Sequence, residues 1–285
     1  MVPAVTPEVS KVVATTAVVL GAVALAIQCS SPQEPPPGPS LTKFTPRLPK
    51  PEPRPPRVAP EPTVPTVGSS IDSGCSTDVV TGLSEQIIAE ANCMRPGAFE
   101  RLPPLDNIEL DEAVFPYLQR RARDALVAAA EARGRHTLKV NSMLRTVAQQ
   151  YLLYEWYRSG RCGINLAATP GSSNHEGGLA VDVGEPRRWR EILSRHGFRW
   201  MGSRDRWHFD FVGRKKNHDD ELEGLHIQAF QRLWNRNNPD KPVGEDGAWG
   251  DTTERALRRA PAAGFRVGAV CDVEQMEDLE DARIE

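Results

Sequence analysis

Apolar side chains recur along this chain at spacings that predict several helices. A stripe with apolar residues at every third or fourth position runs from Asp111 to Ala129 and predicts a long helix that Asp111 opens. Because Pro116 lies in its early part, a start one or two residues later is the alternative. Ser84 precedes a shorter pattern of the same kind and is expected to cap its N-terminus. Residues 145–159 form a third pattern, rich in Tyr and Leu. These helices indicate a folded region that begins near residue 71.

Strand patterns lie between and after these helices. Residues 137–143 alternate between apolar and polar positions, which is typical of a half-buried strand. Short apolar runs at 179–183, 198–201 and 207–212 predict three more strands, with a helix between the first two. The predicted fold class of residues 71–214 is therefore α+β, with a small central antiparallel sheet flanked by helices.

The N-terminal 29 residues resemble an export signal. Lys11 precedes an apolar run over residues 12–27, which is shorter than the roughly 20 residues that a spanning helix needs. Cys29 follows that run, where a lipoprotein would carry its lipidated cysteine, although Gln28 stands where a small residue is usual. Cleavage, an uncleaved membrane anchor and lipidation of Cys29 remain alternatives. Each of them exports the rest of the chain.

Residues 30–70 contain a large share of the 25 prolines and predict an extended linker. At about 3.1 Å per residue in polyproline II, this segment could reach on the order of 100 Å. The opposite end of the chain, residues 267–285, is strongly acidic and is expected to be a solvated tail. The formal net charge of -3 gives no indication of nucleic-acid binding.

Four cysteines follow the linker, and an exported protein is expected to form disulfides from them. Sequence allows three pairings among Cys75, Cys93, Cys162 and Cys271. We expect Cys93 to pair with Cys162, because both flank segments that should pack near the core.

Two short stretches carry candidate metal ligands. His175 and Asp182 lie in the first stretch, and His208 lies in the second, three residues after Asp205. Two histidines and one carboxylate are a complete protein ligand set for catalytic Zn²⁺, which keeps its fourth position for water. Asp205 is then a spare carboxylate for general-base chemistry.

The spacing of these residues resembles that of the zinc D-alanyl-D-alanine carboxypeptidases. This family lies in a metallopeptidase superfamily with the lysostaphin-like enzymes and the hedgehog domain. The resemblance covers residues 138–212 and rests on two motifs, Ser173-x-His175-x-x-Gly178-x-Ala180-x-Asp182 and Asp205-x-Trp207-His208. Upstream, residues 141–150 resemble the family's segment in which an Arg follows a strand and a Gln lies five residues on.

The resemblance implies a role for each matched residue. His175, Asp182 and His208 would bind zinc, and Asp205 would be the catalytic carboxylate, although the family more often has Glu there. Substrate would meet Arg145, Gln150 and Ser173.

Physical arguments add three expectations about this site. Arg145 could stabilise the oxyanion that develops on the scissile carbonyl. Glycines at 177 and 178 would let backbone approach the metal closely. Glu176 competes with Asp205 as the base but is expected to point away from the metal. The other histidines are read as structural or surface residues: His136, His196, His218 and His226.

Residues 221–266 predict a small helical C-terminal module. The stretch from Asp246 to Leu257 resembles the signature of peptidoglycan-binding domains. Asp251 is expected to cap its second helix, with Glu254 completing a capping box. The alternative is a helical appendage packed on the preceding domain, in which Trp249 belongs to the core.

Together these features predict an exported zinc peptidase of the bacterial cell envelope, in the periplasm or anchored to the membrane. We expect it to be a monomer that hydrolyses peptidoglycan stem peptides as a D-alanyl-D-alanine carboxypeptidase. Membrane attachment would come through the N-terminal segment or Cys29. Endopeptidase activity on cross-links or stem bonds is the close alternative. A non-catalytic wall-binding protein is the alternative from another class.

Overall fold

A computed structural model describes residues 64–213, 222 and 224–271. The export signal, Cys29, most of the proline-rich linker, His218 and the acidic tail beyond residue 271 lie outside these ranges. No helix within the ranges has both the length and the apolar character needed to cross a membrane.

The described chain alternates helices with short strands. The helices are α1 Val67–Ser73, α2 Thr81–Met94, α3 Arg120–Glu131, α4 Val147–Arg158, α5 Pro186–Arg195, α6 Leu225–Asn237 and α7 Asp251–Arg259, with a 3-10 helix at Thr77–Val80. The strands are β1 Glu100–Arg101, β2 Ile108–Leu110, β3 Tyr117–Leu118, β4 Leu138–Ser142, β5 Ala180–Val183, β6 Phe198–Trp200 and β7 His208–Phe211. The predicted α+β class is confirmed, and the four predicted strands correspond to β4, β5, β6 and β7.

The central sheet has five strands in the order β2-β4-β5-β7-β6. Strands β4, β5, β7 and β6 pair antiparallel, as expected, but β2 pairs parallel with β4, so the sheet is mixed. In the β5–β7 register, Asp182 lies opposite His208 and Ala180 lies opposite Asp210. Neighbouring strands therefore bring two of the candidate ligands together.

The predicted helix start at Asp111 is wrong. Helix α3 begins at Arg120, and residues 108–118 contain the short strands β2 and β3 with a connecting loop instead. Pro116 explains the difference, because proline disfavours helical backbone in the residue before it. Its carbonyl also accepts a hydrogen bond from the Leu102 amide, which ties this segment to the β1 side of the fold.

Ser84 does not cap α2, which begins at Thr81 with Val80 as its N-cap residue. Ser84 is fully buried inside the helix, where its hydroxyl lies 2.8 Å from that of Thr146. Thr146 caps α4 and forms a capping box with Gln149, so α4 begins two residues later than the predicted start at Arg145. The hydroxyl pair joins the helix α2 to the start of α4.

The helices divide between two hydrophobic cores. One core lies around the sheet and combines strand residues such as Phe209 of β7 with side chains of α3 and α5, among them Trp189. The other core is helical and combines α1, α2 and α4 with the C-terminal helices α6 and α7. Trp156 on α4 and Phe230 on α6 are both fully buried in it. The C-terminal helices thus share a core with the segment that precedes the sheet.

Polar contacts reinforce this association of the chain's two ends. Glu90 on α2 is fully buried and accepts two hydrogen bonds of 3.0 Å from the guanidinium of Arg236 on α6. The Ala262 amide donates to the carbonyl of Pro65 at 2.9 Å. Trp249 packs against Tyr151 of α4 with its ring centre 5.7 Å away. These contacts match the predicted alternative of a helical region packed on the domain before it.

The disulfide prediction is wrong. The pairs are Cys75–Cys162 and Cys93–Cys271, not Cys93–Cys162. Cys93 lies near the end of α2, which packs against α6, and the chain after α7 returns to the same place. Pairing therefore follows the helical core, whose long-range contacts cannot be read from the spacing of cysteines.

Helix α7 begins differently from the prediction. Its N-cap residue is Gly250, without a side-chain cap, and Asp251 is the first helical residue. The expected capping box is therefore absent. Asp251 and Glu254 both lie in the first turn, where negative charge stabilises the positive end of the helix dipole.

Candidate metal centre and active site

Three candidate ligands converge at one edge of the central sheet. His175 lies in the loop before β5, Asp182 lies on β5, and His208 begins β7. The His175 Nε2 atom lies 3.0 Å from His208 Nδ1 and 3.3 Å from Asp182 Oδ1. His208 Nδ1 lies 3.2 Å from the same Asp182 oxygen. The three ligand atoms thus form a nearly equilateral triangle.

The size of this triangle fits a zinc ion. Zinc binds histidine nitrogen and carboxylate oxygen at about 2.0–2.2 Å in tetrahedral geometry, which places neighbouring ligand atoms about 3.3 Å apart. The three separations are 3.0, 3.2 and 3.3 Å. Within the described residues, these three side chains are the group that could hold a metal ion. The donor set of two imidazoles and one carboxylate also matches catalytic zinc sites.

Hydrogen bonds turn a lone pair of each histidine toward the triangle. The Nδ1 atom of His175 lies 2.7 Å from the Met143 carbonyl, which can only accept, so Nδ1 carries the proton and Nε2 is free to bind metal. The Nε2 atom of His208 lies 2.7 Å from Asp210 Oδ1, which leaves its Nδ1 for metal. The two rings therefore present different nitrogens to the same point.

The three ligand side chains differ in protonation. Burial would raise the pKa of Asp182, but the neighbouring His175 and Arg145 hold it well below its usual value, so Asp182 is a carboxylate. Burial lowers the pKa of His175, which stays neutral and can act as a ligand. Burial alone would lower the pKa of His208, but hydrogen bonds and charges from Asp182 and Asp210 outweigh it and raise the pKa to about 9. Without metal, His208 therefore carries a second proton, on Nδ1, which zinc would have to displace on binding.

Asp210 is a functional residue to which the sequence assigned no role. It lies two residues after His208 on β7, so both side chains share one face of the strand. Besides His208, it accepts a hydrogen bond of 2.7 Å from Asn174 Nδ2 and one of 3.4 Å from Arg199. A carboxylate two residues from a ligand histidine, on the same strand face, was the available signal.

We expect Asp210→Ala to weaken metal binding by about 10- to 100-fold, since a partner that orients a ligand histidine typically contributes that much. Competition with a chromophoric chelator measures the dissociation constant of Zn²⁺. The exposed Asp240→Ala is the matched control and should bind zinc as the unaltered chain does. Equal affinity in the two variants would remove Asp210 from the site.

Asp205 lies on the wall of the cavity that holds the triangle. The cavity has a volume of about 460 Å³ and is lined by all three ligands, by Asp205 and by Arg145 and Ser173. The Asp205 carboxylate accepts a hydrogen bond of 3.3 Å from the Trp207 amide, which fixes the loop before β7. The structure thus brings Asp205 to the same cavity as the predicted metal ligands.

Arg145 lies directly beside the ligands. Its Nη2 atom is 2.5 Å from Asp182 Oδ2 and 3.2 Å from His175 Nε2, while its Nε donates to the Ser142 hydroxyl at 2.8 Å. The ion pair uses Oδ2, and the other Asp182 oxygen, Oδ1, faces the two histidines. Asp182 can therefore bind metal and Arg145 at the same time.

Gln150 lies behind Arg145 and does not line the cavity. Its side chain is fully buried. It donates to the Ala168 carbonyl at 2.8 Å, and its oxygen accepts a hydrogen bond of 3.4 Å from Arg145 Nη1. Ser173, in contrast, is half-buried at the cavity wall. Only Ser173 of this pair is placed to touch a substrate directly.

Glu176 faces away from the cavity, as expected. It is buried and accepts hydrogen bonds from the amides of Gly171 and Ser173, and burial raises its pKa to about 8. His226 of α6 lies 3.6 Å from its carboxylate, and burial lowers the pKa of His226 to about 3. Glu176 therefore shapes the loop that carries His175, and a residue of the C-terminal region supports it from behind.

The expectation that Gly177 and Gly178 admit the metal is wrong. Gly178 has a φ of +65°, and a Cβ there would lie 3.0 Å from the Gln119 amide nitrogen and 3.1 Å from the Phe99 ring. A Cβ on Gly177 would meet only Asn174 and Leu179, at 3.8 Å or more. Gly178 therefore allows the loop to pack against the start of α3, where Gln119 donates to its carbonyl.

One family model matches the part of the chain that carries this site. Residues 116–227 match the model of the VanY family, described as D-alanyl-D-alanine carboxypeptidase. No curated protein sequence matches the chain.

Two solved structures are similar over less than half of the chain. One is the LdcB LD-carboxypeptidase, with 20% identity and a TM-score of 0.35 over 46% of this chain and 77% of that chain. The other is a mutant of the vancomycin-resistance D,D-pentapeptidase VanY in complex with Zn(II). It has 24% identity and a TM-score of 0.30 over 47% of this chain and 85% of that chain.

The family match spans β3 to the start of α6 and includes every residue of the ligand triangle, together with Arg145 and Asp205. Residues 116–227, which are less than half of the chain, therefore match the model of the VanY family, described as D-alanyl-D-alanine carboxypeptidase.

Proposed function

We propose that this protein is a zinc-dependent carboxypeptidase that removes the terminal D-alanine from peptidoglycan stem peptides. The observation that carries the proposal is the triangle of His175, Asp182 and His208 in a cavity that Asp205 also lines. It lies within a domain whose family is described by this activity. Ligand set, general base and cavity are the parts that a metallopeptidase needs.

Each part of the site has a distinct task in this proposal. Zinc, held by His175, Asp182 and His208, would supply Lewis-acid activation of water and of the scissile carbonyl. Asp205 accepts the proton of the attacking water and returns it to the leaving amine of D-alanine. Its carboxylate is one methylene shorter than glutamate, and the hydrogen bond from the Trp207 amide fixes its position.

Arg145 is proposed to stabilise the negative charge that develops on the carbonyl oxygen. Its guanidinium lies at the cavity wall beside the ligand atoms, and its ion pair with Asp182 keeps it there. Ser173 at the same wall would hydrogen-bond the peptide backbone. Gln150 is proposed to act through Arg145 and the loop around Ala168, to which its buried amide is bonded.

Location and partners follow from the substrate. Peptidoglycan lies outside the cytoplasm, so the N-terminal segment is proposed to export the chain or to anchor it through residues 1–29 or a lipidated Cys29. The C-terminal helices are proposed to help bind the cell wall. They would do so while packed on the domain, because α6 shares a core with α2 and contacts the Glu176 loop.

Digestion of purified peptidoglycan by the full chain loaded with Zn²⁺ tests the proposal. Mass spectrometry of the products should show free D-alanine and stem peptides shortened by one residue. Loss of cross-links instead would assign an endopeptidase. Release of the residue from a tetrapeptide stem, but not from a pentapeptide, would assign an LD-carboxypeptidase. With zinc bound and no product formed, both peptidase assignments would fail.

A further inference from the structure

The cavity around the ligand triangle contains two arginines whose surroundings differ. Arg145 forms an ion pair with Asp182 and is held by Ser142 as well. Arg204 lines the same cavity from the loop between β6 and β7 and is exposed. Among the described residues, no acidic side chain forms an ion pair with Arg204. Its charge is therefore available to a ligand.

A carboxypeptidase needs such a charge in its site. The substrate ends in a free carboxylate, and desolvating that carboxylate is costly unless a cation pairs with it. Arginine suits this task because its guanidinium binds both carboxylate oxygens at once. Arg145 is bonded to Asp182 and is assigned to the scissile carbonyl oxygen in the proposed function, so of the two arginines lining the cavity Arg204 remains to bind the substrate's terminus.

We propose that Arg204 binds the C-terminal carboxylate of the substrate and thereby selects a terminal over an internal peptide bond. This inference rests on the proposed function. It identifies Arg204 as the residue that would restrict the peptidase to the terminal bond. Asp205 follows Arg204 directly in the same loop, so the carboxylate anchor and the general base are placed by one segment.

The rest of the cavity wall fits a small terminal residue. Apolar residues line the same cavity as Arg204: Leu153, Ile164, Leu166, Ala167, Ala168 and Met201. Leu166 is 49% exposed and Met201 is 37% exposed, although both are apolar. Such a wall accommodates the methyl group of D-alanine, while a second charged side chain on the terminal residue would lack a partner there.

A matched control is available in the same loop. Arg206 is also exposed, but its guanidinium lies 4.2 Å from the centre of the Trp207 ring, and it lines a neighbouring cavity with Arg187 and Arg188 instead. Arg206→Gln therefore removes the same charge from the same loop at a residue that does not itself line the ligand cavity.

The test compares two substrates in the full, zinc-loaded chain. One is an N-acylated peptide ending in D-Ala-D-Ala, and the other is the same peptide with a C-terminal carboxamide. We expect Arg204→Gln to raise KM for the free acid about 10- to 100-fold with little change in kcat, the size of a lost charge-assisted hydrogen bond. The carboxamide peptide should react with Arg204→Gln as it does with the unaltered chain. Arg206→Gln should behave as the unaltered chain.

Two outcomes overturn the proposal. One is an unchanged KM for the free acid in Arg204→Gln, and the other is an equal rise in KM for acid and amide.

If the unaltered chain cleaves neither peptide, the proposed function fails. Calorimetry then tests separately whether Arg204 binds a terminal carboxylate. N-acetyl-D-alanine should then bind more tightly than its amide to the unaltered chain and to Arg206→Gln, but not to Arg204→Gln. Equal binding of acid and amide in all three proteins would refute the anchor.

Discussion

His175→Ala is expected to abolish both zinc binding and hydrolysis. The imidazole is 1% exposed, its Nδ1 is fixed by the Met143 carbonyl, and its Nε2 is one corner of the ligand triangle. Removing a direct ligand should weaken zinc binding more than the loss of an orienting partner, so by more than about 100-fold. Metal analysis after dialysis and the release of D-alanine measure the two effects.

The control for this variant is His196→Ala, because His196 lies at the end of α5, outside the ligand cavity. It should keep both zinc and activity. Circular dichroism of His175→Ala establishes whether the loop change has unfolded the domain. A folded His175→Ala protein that retains stoichiometric zinc through dialysis would exclude the proposed ligand set.

Asp205→Ala is expected to retain zinc and to lower kcat about 10²- to 10⁴-fold, which is the usual contribution of a general base. Zinc binding and hydrolysis should respond differently because Asp205 lines the cavity but is not a corner of the ligand triangle. Zinc content and the rate of D-alanine release are measured on the same sample. Asp205→Glu should recover part of the rate, because it restores the carboxylate.

Ser203→Ala provides the comparison on the same loop. Ser203 lines the neighbouring cavity with Arg206, so its loss should change neither zinc content nor rate. Full activity in Asp205→Ala would show that another group takes the proton. Loss of zinc in Asp205→Ala would place its carboxylate among the ligands instead.

The two candidate bases, Glu176 and Asp205, lie in different surroundings. Glu176 follows His175 in sequence, but backbone amides of its own loop satisfy its carboxylate, and it is buried beneath the site. Asp205 is nearly thirty residues further along and half-buried at the cavity wall. Proximity in sequence is therefore a poor guide here, because the strand pairing of β5 and β7 assembles the site.

The helices of the C-terminal region could be predicted from sequence, but their packing could not. Its helices could be predicted from their apolar stripes, and α6 and α7 are both present. The way these helices pack on the preceding domain could not be predicted, because it depends on contacts such as Arg236 with Glu90 and Ile227 near Gly171. Binding to the cell wall by this region stays a prediction, and any such binding would occur on a surface not used by these contacts.

Local patterns in the sequence by themselves determined the α+β class, strands β4 to β7, helices α4 and α5 and the three candidate ligands. Periodicity suffices for the helices and strands, because each depends on neighbours a few residues away. The ligands followed from two motifs and their resemblance to a known family. Only tertiary structure decided the parallel strand β2, the disulfides and the packing of the C-terminal helices. Each of these depends on contacts between segments far apart in sequence: β2 with β4, α2 with the chain after α7, and α2 with α6.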